Sequence, residues 1–137
     1  MAIVLASAVN AQEVECPKFF PAEVITLGGK LSGHAASARL TSANLSFAYM
    51  FSGQLYAEQT MVPPGDEKVK GGWNTEFYFT PEEKHWLVCR YGGSKWGDGN
   101  IERWEQLGQK ITSCMLKVRE FRHPHTPTDW SATAICK

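Results

Sequence analysis

Hydrophobic and polar side chains alternate along several short stretches of this chain, and such alternation is typical of β-strands with one buried face. The clearest stretch is 73–79, where one tryptophan, one threonine and two phenylalanines share a face opposite Asn74 and Glu76. Further strand patterns occur at 86–91, 111–119, 130–136 and 45–51. Residues 54–58 either continue the strand at 45–51 or form a separate strand. We therefore predict a mainly β protein, either a single antiparallel β-sheet or a small sandwich domain, with little helix.

Turn signals rich in glycine and proline separate these stretches at short intervals, which fits antiparallel strands. Residues 80–83 carry a helix-start signal, but the strand pattern resumes so soon that only a single turn fits. Residues 42–49 are compatible with either a helix or a strand. The core predicted from the alternation contains Trp73, Phe77, Phe79, Trp86, Val88 or Leu87, Leu116, Val118 and Trp130.

Composition limits the size of the fold and the class of partner. The chain has 137 residues, 43% of them hydrophobic, which suits one globular domain. Lys plus Arg and Asp plus Glu both number 14, so the chain lacks the positive charge that nonspecific nucleic-acid or anionic-membrane binding usually requires. No stretch approaches the roughly 18 to 20 apolar residues of a membrane-spanning helix. We expect no nucleic-acid partner and no membrane span, and the oligomeric state is left open.

The first residues predict export. Residues 1–11 combine an uncharged apolar run with small residues ahead of a cleavage point after Ala11, which is typical of a secretory signal. No Lys or Arg precedes the run, so the front of the signal is truncated under this interpretation, or the segment is instead a buried N-terminal strand. We predict a signal peptide at 1–11 and a secreted β domain at 12–137.

Cysteine usage supports the same compartment. Cys16, Cys89, Cys114 and Cys136 form an even set with no CxxC or zinc-site spacing. We predict two disulfides in an oxidising compartment, with buried thiols in a reducing cytosol as the alternative. If 85–91 and 111–119 are neighbouring strands, Cys89 pairs with Cys114 and Cys16 with Cys136, which is one of the three pairings that four cysteines permit.

Catalytic signals are weak. No GxSxG motif or recognisable nucleophile and base pair is present, and oxidised cysteines supply no thiolate. Glutamates such as Glu82 and Glu83 could supply carboxylates for glycoside hydrolysis, but charged residues in turns are usually only solvated. We expect no enzymatic activity and no cofactor, with a small cell-wall hydrolase using Glu82, Glu83 or His85 as the enzymatic alternative.

The spacing of His123 and His125 invites a metal, because two imidazoles two residues apart in an extended segment can point to the same side. A metal site needs further ligands, and in the sequence only Asp129 lies nearby. An exposed turn is the simpler interpretation, so we predict no metal site.

Aromatic residues near a glycine-rich loop give the best candidate for binding. Trp96 and Trp104 flank polar residues in the segment 92–105, where a large aromatic side chain has no evident reason to be buried. Exposed loop aromatics often anchor protein or glycan partners, although both tryptophans could instead fold back over the sheet edge. We take Trp96, Trp104 and the adjacent Tyr91 as candidate binding residues.

Several motifs together resemble a known family. They are Glu15-Cys16-Pro17, Leu55-Tyr56 followed by Pro63-Pro64, Gly71-Gly72-Trp73, the stretch 86–92 (WLVCRYG), a leucine in a short polar loop before Cys114, and the terminal Cys136. The chain resembles a family of small secreted proteobacterial proteins known only as hypothetical proteins named after an enterobacterial locus. It departs from that pattern in a longer loop at 94–105.

The resemblance implies secretion, a β-rich disulfide fold and, for some members, genes that neighbour the type VI secretion apparatus. It therefore implies, without any settled activity, a periplasmic immunity or inhibitor protein. Together with the residues above, this leads us to expect a non-catalytic periplasmic protein-binding module directed against a secreted toxin or envelope enzyme. The alternative is a structural or stress-related envelope protein.

Overall fold

A computed structural model describes residues 12–27, 35–56, 65–80 and 82–137. Within these ranges the regular structure consists of strands, with no helix. The strands are β1 (Gln12–Glu15), β2 (Phe19–Phe20), β3 (Glu23–Leu27), β4 (Ala36–Leu40), β5 (Ala43–Ser52), β6 (Asp66–Val69), β7 (Gly72–Tyr78), β8 (His85–Tyr91), β9 (Ile101–Gln106), β10 (Ser113–Phe121) and β11 (Asp129–Cys136). The prediction of a mainly β protein is confirmed. The predicted signal peptide at 1–11 lies outside the described residues.

The strands form two main antiparallel sheets and one separate strand pair. The first sheet has the order β1-β11-β10-β7-β6, and the second has the order β2-β5-β8-β9. Strands β3 and β4 pair only with each other among the described strands. The chain completes β8 and β9 in the second sheet before it returns to the first sheet with β10, so β8 and β10 belong to different layers.

The two main sheets pack face to face around one hydrophobic core, so the domain is a small sandwich. The first sheet contributes Val14, Phe77, Leu116, Val118, Trp130, Ala132 and Ala134, and the second contributes Leu45, Ala48, Met50, Leu87 and Tyr91. Within each strand the core residues follow a two-residue period, because every second side chain faces the opposite sheet. The exception is β5, where a register shift makes the step from Leu45 to Ala48 three residues. The predicted core residues are buried, except for Trp73, which is half-buried at the edge of the core.

Strand β8 is buried on both of its faces. Leu87 points into the core between the sheets, whereas Val88 points outward and is also fully buried. The outer face is covered by a second apolar cluster, which contains Phe51, Trp86 and Val88 with Tyr49 and Trp104 packed against it. The open choice between Leu87 and Val88 as the core residue is therefore resolved in favour of both.

The predicted disulfide pairing is wrong, although the number of disulfides is confirmed. Cys16 pairs with Cys89, and Cys114 pairs with Cys136. Cys89 cannot reach Cys114 as a strand neighbour because β8 and β10 lie in different sheets. Cys114 instead lies directly opposite Cys136 on adjacent strands, with 4.0 Å between their Cα atoms, while the Cys16–Cys89 bond joins the two layers through the core.

Two local predictions also need correction. Residues 54–56 form a turn instead of a strand, and 57–58 lie outside the described residues. Residues 101–105, predicted as part of a polar loop, belong to strand β9. The ambiguous residues 42–49 fall mostly within β5. At the predicted turn, the Glu83 amide donates a 3.3 Å hydrogen bond to the Thr80 carbonyl, and residue 81 lies outside the described residues.

Candidate functional site

An aromatic cleft of about 320 Å³ opens between the two sheets where β5 faces β7. The first sheet supplies its strands β6, β7 and β10 to one wall, and the second supplies β5 and β8 to the other. We call this site the Trp96 cleft, and its lining residues are Phe47, Ala48, Tyr49, Asp66, Trp73, Thr75, Phe77, Arg90, Trp96 and Leu116. Apolar walls with a few polar groups at the rim are typical of binding sites in proteins.

Trp96 forms one wall of the cleft and contacts three other rings. Its ring centroid lies 5.4 Å from that of Phe47, 5.2 Å from that of Trp73 and 5.7 Å from that of Trp130. The planes of Trp96 and Trp73 are nearly perpendicular, at 85°. Trp96 is therefore half-buried, and it combines the two interpretations left open by the sequence: it folds back over the sheet edge and still lines a surface cleft.

The loop that carries Trp96 is held by a β-bulge in β5. The register between β5 and β8 shifts between Leu45 and Phe47, which places Ser46 at the bulge. The Ser46 hydroxyl donates a 2.7 Å hydrogen bond to the Asp98 carbonyl, and its own carbonyl accepts one of 2.9 Å from the Gly97 amide. These bonds hold the loop at Gly97 and Asp98, directly after Trp96, so Trp96 is positioned before any partner arrives.

Arg90 and Tyr49 form a charged network at one side of the cleft. Both side chains bind the same carboxylate oxygen of Glu102, Arg90 at 3.1 Å and the Tyr49 hydroxyl at 2.8 Å. The guanidinium carbon of Arg90 also lies 5.1 Å from the centroid of the Phe47 ring and 5.5 Å from that of Tyr49. Burial and the Glu102 carboxylate raise the pKa of Tyr49 to about 12, so its hydroxyl remains a proton donor at neutral pH.

Asp66 supplies a negative charge on the opposite side of the cleft. It lies on the edge strand β6 directly opposite Thr75 of β7, and its carboxylate accepts a hydrogen bond from the Thr75 hydroxyl. Asp66 is exposed, and it makes no ion pair with any of the described residues. The cleft therefore combines an unneutralised carboxylate with aromatic walls.

Trp104, the second predicted anchor, lies outside this cleft. It is on β9 and packs edge-on against Phe51 and Tyr56, with ring centroids 5.2 and 5.6 Å away, and against Trp86 at 6.1 Å. The structure thus places Trp96 and Trp104 in two different aromatic clusters.

Tyr91, the third candidate, is fully buried in the core. Its hydroxyl donates a 2.7 Å hydrogen bond to the Pro17 carbonyl, and its ring packs against Phe20. Burial raises the pKa of Tyr91 to about 12. Tyr91 exposes no surface to a partner. It therefore belongs to the core and not to the binding site.

A second cleft of about 330 Å³ lies between the start of β5, the end of β10 and the start of β11. Phe19 and Phe121 line it and are 61% and 51% exposed. His123 also lines it, with its Nε2 atom 2.9 Å from a carboxylate oxygen of Asp129. No group of three or more potential metal ligands occurs among the described residues, His123 included.

Ser52, Glu83 and His85 form a polar cluster that includes two of the residues named for hydrolysis. The Ser52 hydroxyl donates a 2.6 Å hydrogen bond to Glu83, and its oxygen lies 3.4 Å from Nδ1 of His85. In a catalytic triad the imidazole stands between the hydroxyl and the carboxylate, whereas here the hydroxyl stands between the other two. His85 is also fully buried beneath Phe79, with ring centroids 4.3 Å apart, so the cluster does not present an oriented base to a substrate.

Sequence reasoning found one residue of the Trp96 cleft as a binding candidate and missed its companions. Phe47, Asp66 and Arg90 lie on three separate strands, and nothing in their local sequence indicates that they meet. The available signal was Asp66 on the edge strand β6, directly opposite Thr75 of β7. This pairing can be recognised only when the register of the two strands is known.

Comparison with family models, curated proteins and solved structures found no match for this chain. Among the residues described, no helix is long and apolar enough to cross a membrane.

Proposed function

We propose that this protein is a non-catalytic protein-binding module of the periplasm, and that a segment of its partner inserts into the Trp96 cleft. The observation that carries the proposal is the cleft itself, because Trp96 and Trp73 form aromatic walls beside the exposed Asp66 and the half-buried Arg90 and Tyr49. Binding hot spots commonly combine tryptophan, tyrosine and arginine in this way.

The rigidity of the scaffold supports a binding role. The Cys16–Cys89 disulfide joins the two sheets that form the walls of the cleft, and Ser46 fixes the loop that carries Trp96. A site that is ordered in the free protein loses less conformational entropy on binding than a mobile one does. This property suits an inhibitor that must hold its target tightly.

The compartment and the kind of target are further parts of the proposal. Two disulfides are compatible with a compartment outside the cytosol. The resemblance to secreted proteins encoded near type VI secretion genes favours the periplasm, and it favours a toxin or a wall-degrading enzyme as the target. The Ser52 hydroxyl lies between Glu83 and His85, which is not the arrangement of a catalytic triad. This arrangement favours a non-catalytic role over that of a cell-wall hydrolase.

The binding proposal is tested by capture followed by reconstitution. The oxidised protein is immobilised and exposed to periplasmic extract and to the product of the neighbouring gene, and any retained protein is purified and titrated. Trp96→Ala should weaken this binding at least about thirtyfold, corresponding to about 2 kcal/mol for the loss of an anchor residue. Trp96→Leu, which keeps an apolar side chain in place, serves if the alanine variant does not fold.

Two control variants separate the cleft from the rest of the surface. Trp104→Ala removes a half-buried tryptophan from the other aromatic cluster, and Phe121→Ala removes an exposed ring from the second cleft. Both should bind the partner with unchanged affinity. Loss of binding in Phe121→Ala but not in Trp96→Ala would move the docking surface to the second cleft. Failure to retain any partner would favour a structural envelope protein.

Incubation with peptidoglycan tests the hydrolase alternative. We expect no release of soluble fragments from the wall polymer. Turnover by the purified protein that disappears in both His85→Ala and Glu83→Gln would contradict the non-catalytic assignment.

A further inference from the structure

The shape of the Trp96 cleft restricts the chemistry of what it can hold. Trp96 meets Trp73 at 85° and Phe47 at 65°, so the rings form corners and not a flat platform. A sugar ring stacks best on one flat, open aromatic face. A compact cation, in contrast, gains from several ring faces at once, because each π face carries partial negative charge.

Arg90 demonstrates that one wall of this cleft already holds a cation. Its guanidinium lies within 5.5 Å of the centroids of Phe47 and Tyr49, which is within the range of a cation–π contact. This charge is compensated inside the protein by Glu102 at 3.1 Å. The faces of Trp73 and Trp96 have no such internal cation among the contacts of the described residues.

The charges around the cleft favour a second cation. Arg90 and Glu102 offset each other, whereas the exposed carboxylate of Asp66 has no ion-pair partner among the described residues. Because the Thr75 hydroxyl donates to this carboxylate, Asp66 is oriented along the cleft wall. An anionic group would be repelled by Asp66, and a neutral apolar group would leave its charge unused.

We propose that the Trp96 cleft binds a cationic side chain, Lys or Arg, presented by the partner protein, with Asp66 as its counter-ion and the rings of Trp73 and Trp96 as its walls. This inference rests on the proposed binding function and adds the chemistry of the contact. The partner should therefore present a basic residue at the tip of a loop or at a chain end, where it can enter a cleft of this size.

The cleft is tested with small probes in place of the partner. N-acetyl-lysine methylamide is titrated while the indole N–H signals of all five tryptophans are followed by NMR, and the neutral norleucine analogue and chitotriose are titrated in parallel. We expect saturable shifts of the Trp73 and Trp96 signals with the lysine probe, at least tenfold weaker binding of the norleucine probe, and weaker binding at high salt. Equal binding of the norleucine probe, or binding of chitotriose alone, would overturn the inference.

Asp66→Asn removes the charge and preserves the shape of the side chain, and we expect it to weaken lysine binding at least tenfold. Its matched control is Glu67→Gln on the same edge strand, because Glu67 is exposed, pairs with Asn74 and lies on the other face of the sheet. An equal loss in both variants would mean general electrostatic attraction, which would contradict a specific counter-ion.

The same variants separate this inference from the proposed function. If a partner binds through Trp96 but is insensitive to Asp66→Asn, the cation site is wrong and the binding module stands. If the lysine probe binds and no partner is retained, the cation site stands and the protein-binding role fails.

Discussion

His85 is a buried titratable side chain whose imidazole has little to support a charge. Within the described residues its Nε2 atom makes no hydrogen bond, and Phe79 packs against the ring. Burial lowers the pKa of His85, and the carboxylate of Glu83 opposes that shift only in part. The unfolded chain therefore takes up this proton at a higher pH than the folded protein does.

This difference predicts a loss of stability in acid. Above the unfolded pKa of about 6.5 the imidazole is neutral in both states, and as pH falls toward the lower folded pKa the unfolded state is increasingly favoured. In urea denaturation between pH 7.5 and 5, the native protein should lose more stability than His85→Gln does. Parallel pH profiles for the two proteins would contradict the prediction.

Tyr91 provides a second test at the scale of one residue. Because it is fully buried, its substitution should change the stability of the fold without changing binding. Tyr91→Phe removes the hydroxyl that donates to the Pro17 carbonyl and leaves the ring in place. We expect a loss of about 1 kcal/mol in the free energy of unfolding, measured by urea denaturation. Affinity for the lysine probe should be unchanged, and a weakened affinity would return Tyr91 to the binding site.

At the scale of elements, the loop between β8 and β9 depends on two glycines that differ in their surroundings. Gly99 has φ of +103°, and a Cβ atom there would lie 2.4 Å from the Tyr91 carbonyl oxygen. Gly97 has a similar φ of +99° but open space around it. The positive φ disfavours residues other than glycine at both positions. At Gly99 alone of these two, the backbone of β8 also lies too close to leave room for a Cβ atom.

Gly97→Ala should therefore destabilise the protein by about 1 kcal/mol, and Gly99→Ala by roughly 2 to 3 kcal/mol. Gly99→Ala should also shift the indole N–H signal of Trp96, because the loop must move away from β8. Thermal or urea denaturation gives the first comparison and NMR gives the second. Equal destabilisation by the two substitutions would mean that backbone conformation alone accounts for the effect.

The strands that could be predicted are those rich in apolar residues. Residues 73–79 and 130–136 alternate because one face of each lies in the core, whereas 86–91 is almost continuously apolar because both faces of β8 are buried. Strands β6 and β9 are edge strands, and charged side chains dominate both, so their patterns resemble loops.

The arrangement of the strands was less accessible from the sequence. Alternation assigns a side chain to a face but does not say which sheet that face belongs to, and this is why the pairing of Cys89 failed. The Trp96 cleft could not be predicted for the same reason, because Asp66 and Trp96 come to line one cleft only when the two sheets pack together. Sequence reasoning reached Trp96 through its chemistry and could not reach its neighbours.

At the scale of the whole molecule, the two disulfides close chain segments of very different length. Cys16 and Cys89 are separated by 73 residues, and Cys114 and Cys136 by 22. If restriction of the unfolded chain dominates, the longer closure contributes about 4 kcal/mol and the shorter about 3 kcal/mol.

The double variant Cys16→Ala/Cys89→Ala should therefore be the less stable of the two double variants, since it also releases one sheet from the other. Urea denaturation of Cys114→Ala/Cys136→Ala provides the comparison, because its cysteines join neighbouring strands that remain hydrogen-bonded. A larger loss in this second variant would contradict the entropic ranking. Non-reducing peptide mapping of the native protein should recover both disulfides as described.

The order of the cysteines along the chain has a consequence for how the protein matures. The native bonds join the first cysteine to the second and the third to the fourth. If the chain is exported as we propose, and crosses the membrane from its N-terminal end, it presents Cys16 and Cys89 to an oxidase before Cys114 and Cys136 arrive. Pairing in order of arrival gives both native bonds directly, whereas a nested arrangement would require later exchange by an isomerase. Cells that lack a disulfide isomerase should thus yield as much native protein as cells that contain one.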